Sequence, residues 1–358
     1  MSGPFARACR HSSLRLDRRP GRVLTRRVCL ALLAGALASL YVSGSGYLWA
    51  GYSTDFDQLW IGARALLDGH EPYTTVRALN TRHDVVWGLL YPMPAVLLGA
   101  CVAWLPLTAA RALVAAIAAF CLALLVSRDR GKWPILLSGA MRSSVSLVQL
   151  TPFLACATLV PWFGWALAMK PNAAVAVWSS VRNRKALAIS AGVAAAVITA
   201  SLLVDPAWPI RWRDAITGPH FLRPLVMRPF GAVLLLAALK WRRPEARWLF
   251  VTALIPSTAN VYEALPLLTV MALSFREALV LSILSHLADI GAYALRADAS
   301  YAALANANAM TMLWLFYIPV LFLILRRPNE PVALSHPASN RRYRRWPPGI
   351  PGGRTLWQ

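Results

Sequence analysis

Long apolar runs with almost no charge recur along the chain, among them Val28–Ala50, Ala109–Val126, Ala186–Val204 and Ala302–Leu325. Each is close to the ~20 residues that cross a hydrocarbon core as a helix. A chain with many such runs keeps its backbone hydrogen-bonded in lipid only as a helical bundle. The expected fold is therefore all-α, a polytopic integral membrane bundle of about 8–12 membrane segments, counting short and broken ones.

The pattern changes between Ser53 and Tyr73. Phe56, Leu59, Trp60, Ala63, Leu66 and Leu67 recur at the helical period, predicting an amphipathic helix from about Phe56 to Leu67 that stops at Asp68-Gly69. Asp55 then falls at its N-cap, or Asp55 and Asp57 in its first turn. The proline-punctuated stretch YPMPAVLLGACVAWLP that follows reads as an interfacial helix. Pro152–Val181, broken at Pro161 and Lys170-Pro171, and Trp248–Ser274, broken at Pro256, read as helices that approach one face, turn and return. Broken helices survive at membrane depth only inside protein or along a cavity.

Composition supports this reading: 58% of the 358 residues are hydrophobic, and the mean hydropathy is +0.50. The net charge of +22 raises nucleic-acid binding, but its placement argues against that. Eight arginines lie in residues 1–27 and seven from Arg326 onward, beside membrane runs. Cytoplasmic flanks carry such an excess, and anionic lipid attracts it. Both termini are accordingly expected in the cytoplasm. Residues 1–27 form a basic tail, 28–328 the membrane domain, and 329–358 a basic, proline-rich tail expected to be disordered. Keeping Arg128–Lys132 inside requires one crossing, not two, between Gly51 and Arg128. Residues 51–107 then form one large extracytoplasmic loop carrying juxtamembrane helices. The cysteines, five in all, show no metal or disulfide spacing, and His83-Asp84 has no third ligand at metal spacing. No metal site and no cofactor is expected.

Five of the fifteen acids fall between Asp55 and Asp84. Outward acids beside a membrane-level cavity are candidates for chemistry, and a carboxylate serves as general base toward a hydroxyl. Asp55 reads either as that base or as a helix N-cap. Asp57 reads as a reserve carboxylate or a solvated first-turn acid. Lys170, flanked by apolar residues and followed by Pro171, reads as a phosphate contact or as a lysine held by helix-end carbonyls. Gln149 reads as a sugar contact or an interhelical hydrogen bond. Tyr262 and Glu263 follow the break at Pro256 and could reach the same cavity. The outer loop 205–228 breaks the charge rule with Arg211, Arg213, Arg223 and Arg228, which together with His220 suit an anionic ligand such as a lipid phosphate or, alternatively, a headgroup layer. His286 and Asp289, one turn apart, are expected to bond each other.

The stretches DFDQLWIGARALLDGHEPY, YPMPAVLLGACVAWLPL, QLTPFLACATLVPWFGWALAMKPN, LLVDPAWPIRW and KWRRPEARWLF, in that order, resemble the bacterial polyprenyl-phosphate-mannose-dependent α-(1→2) mannosyltransferases of the GT-C superfamily. The likeness covers roughly residues 28–328. It departs from the family where Tyr91-Pro92-Met93-Pro94 replaces a Tyr-Pro-Pro and Glu263 an aspartate. The resemblance implies a GT-C-like fold and an enzyme of the bacterial plasma membrane. Such an enzyme takes a hexose from a polyprenyl-phosphate donor and passes it, with inversion, to a glycolipid or polysaccharide hydroxyl on the extracytoplasmic side. It implies Asp55 as catalytic base and Asp57 in reserve. Lys170, His220, Arg211, Arg223 and Arg228 would face the donor phosphate. Gln149, Tyr262, Glu263 and Tyr91 would face sugar or acceptor. The rival expectation is a transporter or flippase of a polyprenyl-linked sugar, because broken helices near the midplane suit transporters as well.

Overall fold

The computed structural model describes residues 20–48, 53–79, 81–82, 85–86, 88–217, 223–271, 273–295 and 300–329. Among them, five helices are long and apolar enough to span a membrane: Leu24–Leu48, Leu107–Val126, Arg184–Val204, Phe275–Leu295 and Ala302–Arg326. The architecture is that of an all-α membrane protein. Most residues between these five helices form shorter pieces, so the expected segment number is met only if broken helices are counted. The outer parts of the two tails, residues 1–19 and 330–358, and the His83-Asp84 pair lie outside the described residues.

Helix α1 (Pro20–Leu48) leads into α2 (Phe56–Leu67), α3 (Pro72–Leu79), α4 (Met93–Ala100) and α5 (Leu107–Val126). A two-residue hairpin, β1 (Thr81–Arg82) with β2 (Val85–Val86), sits between α3 and α4. Helices α1 and α5 pack antiparallel. Arg27 near the start of α1 donates to Leu124 O at 2.8 Å and to Ser127 Oγ at 3.3 Å, at the end of α5. Their backbones approach closely at Gly35, where a Cβ would stand 3.0 Å from Ala116 O. This pairing gathers α2, α3 and α4 at one end of the bundle. Eight residues of helix reach only ~12 Å, too short for α4 to cross a hydrocarbon core by itself. It is not a surface helix, however. Met93, Ala95 and Val96 are fully buried, and Gly99 brings α4 so close to α2 that a Cβ there would meet Leu59 O at 2.8 Å. The apolar face that reads as membrane-facing is covered by protein instead.

Three interrupted helical hairpins follow. The first joins α6 (Gly139–Ser146) to α7 (Thr151–Ala157), after a 3-10 stretch Arg130–Leu137. The second joins α8 (Trp165–Met169) to α9 (Pro171–Ser180) through Lys170, and α10 (Arg184–Val204) and α11 (Trp208–Thr217) come next. The third joins α12 (Pro244–Leu254) to α13 (Leu265–Val270), after a 3-10 stretch Gly231–Lys240. Prolines 152, 171, 244 and 266 each occupy the first turn of one of these short helices. Proline there removes only an N–H that a helix start leaves unpaired, and it pushes the preceding residue out of helix. Lys170 accordingly takes φ −142°, ψ 74°. The descending ends are tied together, Thr158 Oγ1 to Thr269 Oγ1 at 2.9 Å, with Lys132 donating to Thr269 O. The expectation of segments that turn and return at Lys170-Pro171 and Pro256 holds. Near the tip of the third hairpin, β3 (Arg223–Pro224) pairs with β4 (Pro256–Ser257).

Helices α14 (Phe275–Leu295), α15 (Tyr301–Met312) and α16 (Ile318–Arg326) close the bundle, with a π-helical turn Leu313–Tyr317 joining the last two. The end of the bundle far from α2 is bound by charge. Arg243 donates to Glu245 at 2.8 Å, and Arg327 reaches Glu245 at 3.5 Å and Glu277 at 3.0 Å. Glu245 is 1% exposed, so its charge is tolerated only because two guanidiniums face it. The expected His286–Asp289 contact does not form. Asp289 pairs with Arg142 on α6, and His286 Nε2 lies 2.8 Å from Leu137 O. Both residues bind across to the first hairpin rather than along their own helix.

A second buried pair fixes the opposite end. Arg111 in the first turns of α5 donates to both carboxylate oxygens of Asp57, at 2.7 and 2.6 Å. The same oxygens accept from Thr54 N at 2.8 Å and Thr54 Oγ1 at 2.7 Å. The two side chains are only 8% and 13% exposed. Removing either partner strands a buried charge, at a cost of about 3–5 kcal/mol. Asp57→Ala and Arg111→Ala are each expected to lower the thermal unfolding midpoint in detergent sharply, and the double variant to lose less than the sum. Additive losses would mean that the pair is not coupled.

Candidate functional site

The tips of the second and third hairpins meet the start of α2, the segment before α4, and α11 around a cavity of about 290 Å³. Asp55, Tyr91, Lys170, Tyr262 and Glu263 are in its wall. These five come from four stretches far apart in sequence, and the fold brings them together.

Asp55 stands where α2 begins, but its side chain makes no capping hydrogen bond. The helix start is closed instead by Thr54, whose N–H and Oγ1 both donate to the Asp57 carboxylate. The two acids therefore have separate tasks. Asp57 is neither solvated nor in reserve; it is consumed by Thr54 and Arg111. Asp55 is turned to the cavity, with its backbone N–H on Leu147 O at 3.1 Å and its Oδ2 accepting from Gln149 Nε2.

Gln149 is 1% exposed and is not in the cavity wall. Its Oε1 accepts from Tyr91 Oη at 3.1 Å. The sequence offered Gln149 as a sugar contact or an interhelical bond, and in this structure it bonds between elements. Tyr91 belongs to a second layer of support: its carbonyl accepts from Tyr73 Oη at 3.4 Å, and the neighbouring Leu90 is held by Gln58 Oε1 on its N–H at 3.2 Å and by Trp212 Nε1 on its carbonyl at 3.0 Å.

Elsewhere in the wall, Lys170 Nζ lies 3.9 Å from Glu263 Oε1 and 4.4 Å from the centre of the Tyr262 ring. Both contacts favour an ammonium. Glu263 Oε1 also accepts from Thr258 Oγ1 at 2.9 Å. Tyr262 Oη accepts from Asn260 at 3.0 Å, and Asn260 accepts from Asn308 of α15 at 2.6 Å. The lysine is thus held by side chains of the third hairpin, not by helix-end carbonyls.

The arginines of residues 205–228 do not line this cavity. Arg211 is drawn to Asp205 at 2.7 Å and Glu71 at 3.8 Å. Arg228 donates to Asn306 at 2.5 Å. Arg223 is exposed, although its backbone pairs with Ser257, next to the cavity residue Pro256. His220 lies outside the described residues. Sequence reasoning missed Trp212, Ile216, Asn172 and Thr258 in the wall. Trp212 and Ile216 are four apart on α11 and so share a face, a signal hidden by the arginines between and around them. Among the described residues, no three His, Cys, Asp or Glu side chains converge as a metal set.

The arrangement places the Asp55 carboxyl and the Lys170 amine together in the wall of a partly apolar chamber. It can accept a proton at one group and stabilise an anion at the other. Comparison with protein families, curated proteins and solved structures finds no match to this chain.

Tyr73 supplies a check on this packing. Its phenol is 5% exposed and is pushed above the ordinary tyrosine range, first by burial and then by the charges of Asp205 and Glu71. The folded state therefore favours the neutral phenol. The stability this gives is complete below about pH 10, the unfolded value, and is lost as pH rises from there. Wild type is expected to lose stability between about pH 10 and 12 more steeply than Tyr73→Phe. Parallel alkaline unfolding curves would place the phenol in water.

Proposed function

We propose that the protein is an integral membrane glycosyltransferase of the GT-C type. It moves a hexose, mannose by the resemblance, from a polyprenyl-phosphate donor to the hydroxyl of a cell-envelope glycolipid or polysaccharide. The observation that carries this reading is the cavity itself, which Asp55 and Lys170 line together. The bundle's other end gathers Arg27, Lys132, Arg243 and Arg327. Positive charge favours the cytoplasm, so the cavity faces outward in the bacterial plasma membrane and both chain ends face inward.

In the reaction, the acceptor oxygen attacks the anomeric carbon while Asp55 takes its proton. The bond from that carbon to the phosphate oxygen breaks, and the lipid phosphate leaves with the electron pair. Inversion follows from a single displacement. The leaving phosphate needs a positive charge placed where its own charge grows. Lys170 supplies it, exchanging the distant Glu263 oxygen for the phosphate. Since Arg211, Arg223 and Arg228 are outside the cavity wall, their share is electrostatic attraction at its mouth. Phosphate departs as an anion without an acid, so no metal enters the scheme.

A second reading, a transporter of the same lipid-linked sugar, draws support from the interrupted hairpins that converge at the cavity. The two separate in one experiment. Protein reconstituted in lipid receives radiolabelled polyprenyl-phosphate-mannose and membrane acceptor lipids. Wild type is expected to transfer label, and Asp55→Asn to lose about 10²–10⁴-fold. Equal transfer by both proteins removes Asp55 from the mechanism. Movement of label across the bilayer without transfer favours the transporter.

A further inference from the structure

The ion pair in the cavity wall is built unlike the pairs at the two ends of the bundle. Arg111 meets Asp57 at 2.7 and 2.6 Å, and Arg243 meets Glu245 at 2.8 Å. Lys170 Nζ instead stands 3.9 Å from Glu263 Oε1, beyond hydrogen-bond reach. Both side chains are largely buried, at 12% and 9% exposed. A buried pair that serves structure alone closes to hydrogen-bond distance, because only then is its desolvation offset.

The carboxylate is the fixed member of this pair. Its Oε1 accepts from Thr258 Oγ1 at 2.9 Å, and the Glu263 N–H donates to Asn260 O at 2.9 Å. Between those two partners, buried Ala259 holds φ 50°, a conformation uncommon for any residue with a Cβ. Asn260 is tied in turn to Asn308 of α15. The amine is the movable member. It ends a flexible four-carbon stem at the break between α8 and α9.

Among the described residues, the charged side chains of the wall are Asp55, Lys170 and Glu263. One amine is therefore shared with two carboxylates, and transfer changes the charge that they meet. The donor is a phosphodiester with a single negative charge. As the anomeric C–O bond breaks, its electron pair stays on the phosphate and the acceptor's proton goes to Asp55. The lipid keeps a monoester of about −1.5 to −2 charge at pH 7. Lys170 thus attracts the product more strongly than it attracted the donor, which opposes turnover.

We propose that Glu263 is the release group of this cavity. It is a fixed internal anion that competes with the lipid phosphate for Lys170, repels the product more than the donor, and takes the amine back as the product leaves. The proposal rests on the reading of Lys170 as the phosphate contact and names what regulates that contact. It gives Glu263 a task other than the sugar contact that the resemblance implied.

Binding to the full-length protein in lipid nanodiscs tests this with two probes, farnesyl phosphate as the monoester and methyl farnesyl phosphate as the diester. Glu263→Gln is expected to bind farnesyl phosphate about tenfold more tightly than wild type, since a charge within about 4–6 Å shifts an ionic equilibrium by that factor or more. The diester is expected to gain less. In transfer assays the same variant is expected to lower KM and kcat together and to show a first-turnover burst, because product release becomes limiting. Glu263→Asp, which keeps the charge but withdraws it by one methylene, is expected to fall between. Unchanged or weaker farnesyl phosphate binding in Glu263→Gln overturns the proposal, as does equal tightening of both probes. Should Glu263→Gln fail to fold, Glu263→Asp decides: tighter monoester binding sustains the proposal, and unchanged or weaker binding overturns it. Tighter binding in a protein whose wild type transfers no sugar sustains the contest for Lys170 and sinks the transferase reading instead.

Discussion

A helix that stops at membrane depth leaves amide and carbonyl groups that hydrocarbon cannot satisfy, at several kcal/mol each. The rest of this structure depends on that constraint. The breaks near Leu147, at Lys170 and around Pro256 must be enclosed by protein, and the simplest enclosure is each other. Their convergence with the start of α2 produces the cavity. The same breaks free the tips from helical geometry, so that Lys170, Gln149 and Glu263 can point where a continuous helix would not send them. The five long helices supply the wall that keeps lipid away, and their small residues allow the close approach seen at Gly35.

Charge is arranged around that cavity by partnership. Asp57 and Asp55 are two residues apart and chemically identical, yet one is bound by Arg111 and Thr54 and the other lines the cavity. Arg111 makes the difference, since a bidentate guanidinium and the Thr54 contacts use both Asp57 oxygens. At the far end, the Arg243–Glu245–Arg327–Glu277 chain does similar work by tying together the ends of α12, α14 and α16. Buried pairs of this kind hold elements in register because breaking them strands a charge. Lys170 differs: its partner stands at 3.9 Å, a separation loose enough for an incoming anion to compete.

Several features were legible in the chain before any coordinates. The 3.6-residue recurrence of Phe56, Leu59, Ala63 and Leu66 gave α2 with its bounds, because one face of that helix is buried and the period records it. Pro171 and Pro256 marked their breaks, because proline lacks the donor a helix interior needs. Lys170 stood out as a charge in apolar surroundings, and Asp55 as an acid just before an amphipathic helix. Other features were illegible for equally physical reasons. The apolar stretch before α5 reads alike whether lipid or protein covers it, so the burial of α4 was hidden. Nothing local distinguishes Asp57 from Asp55 until Arg111, more than fifty residues away, is brought beside one of them.

The sequence alone determined which segments leave water, since hydropathy and charge act on each stretch independently of the fold. That is why a helical membrane bundle, its short loop helices and the breaks at Lys170-Pro171 and Pro256 followed from the chain, while the break near Leu147 did not. Only the tertiary structure decided which polar groups meet. Hydrogen bonds and ion pairs form over about 3 Å, and residues such as Asp55, Tyr91, Gln149, Lys170 and Glu263 come within such reach only when the hairpin tips are packed together. The pairing of His286 with Leu137, the release of Asp55 from capping and the removal of Arg211 from the cavity are outcomes of that packing, which no single stretch of chain encodes.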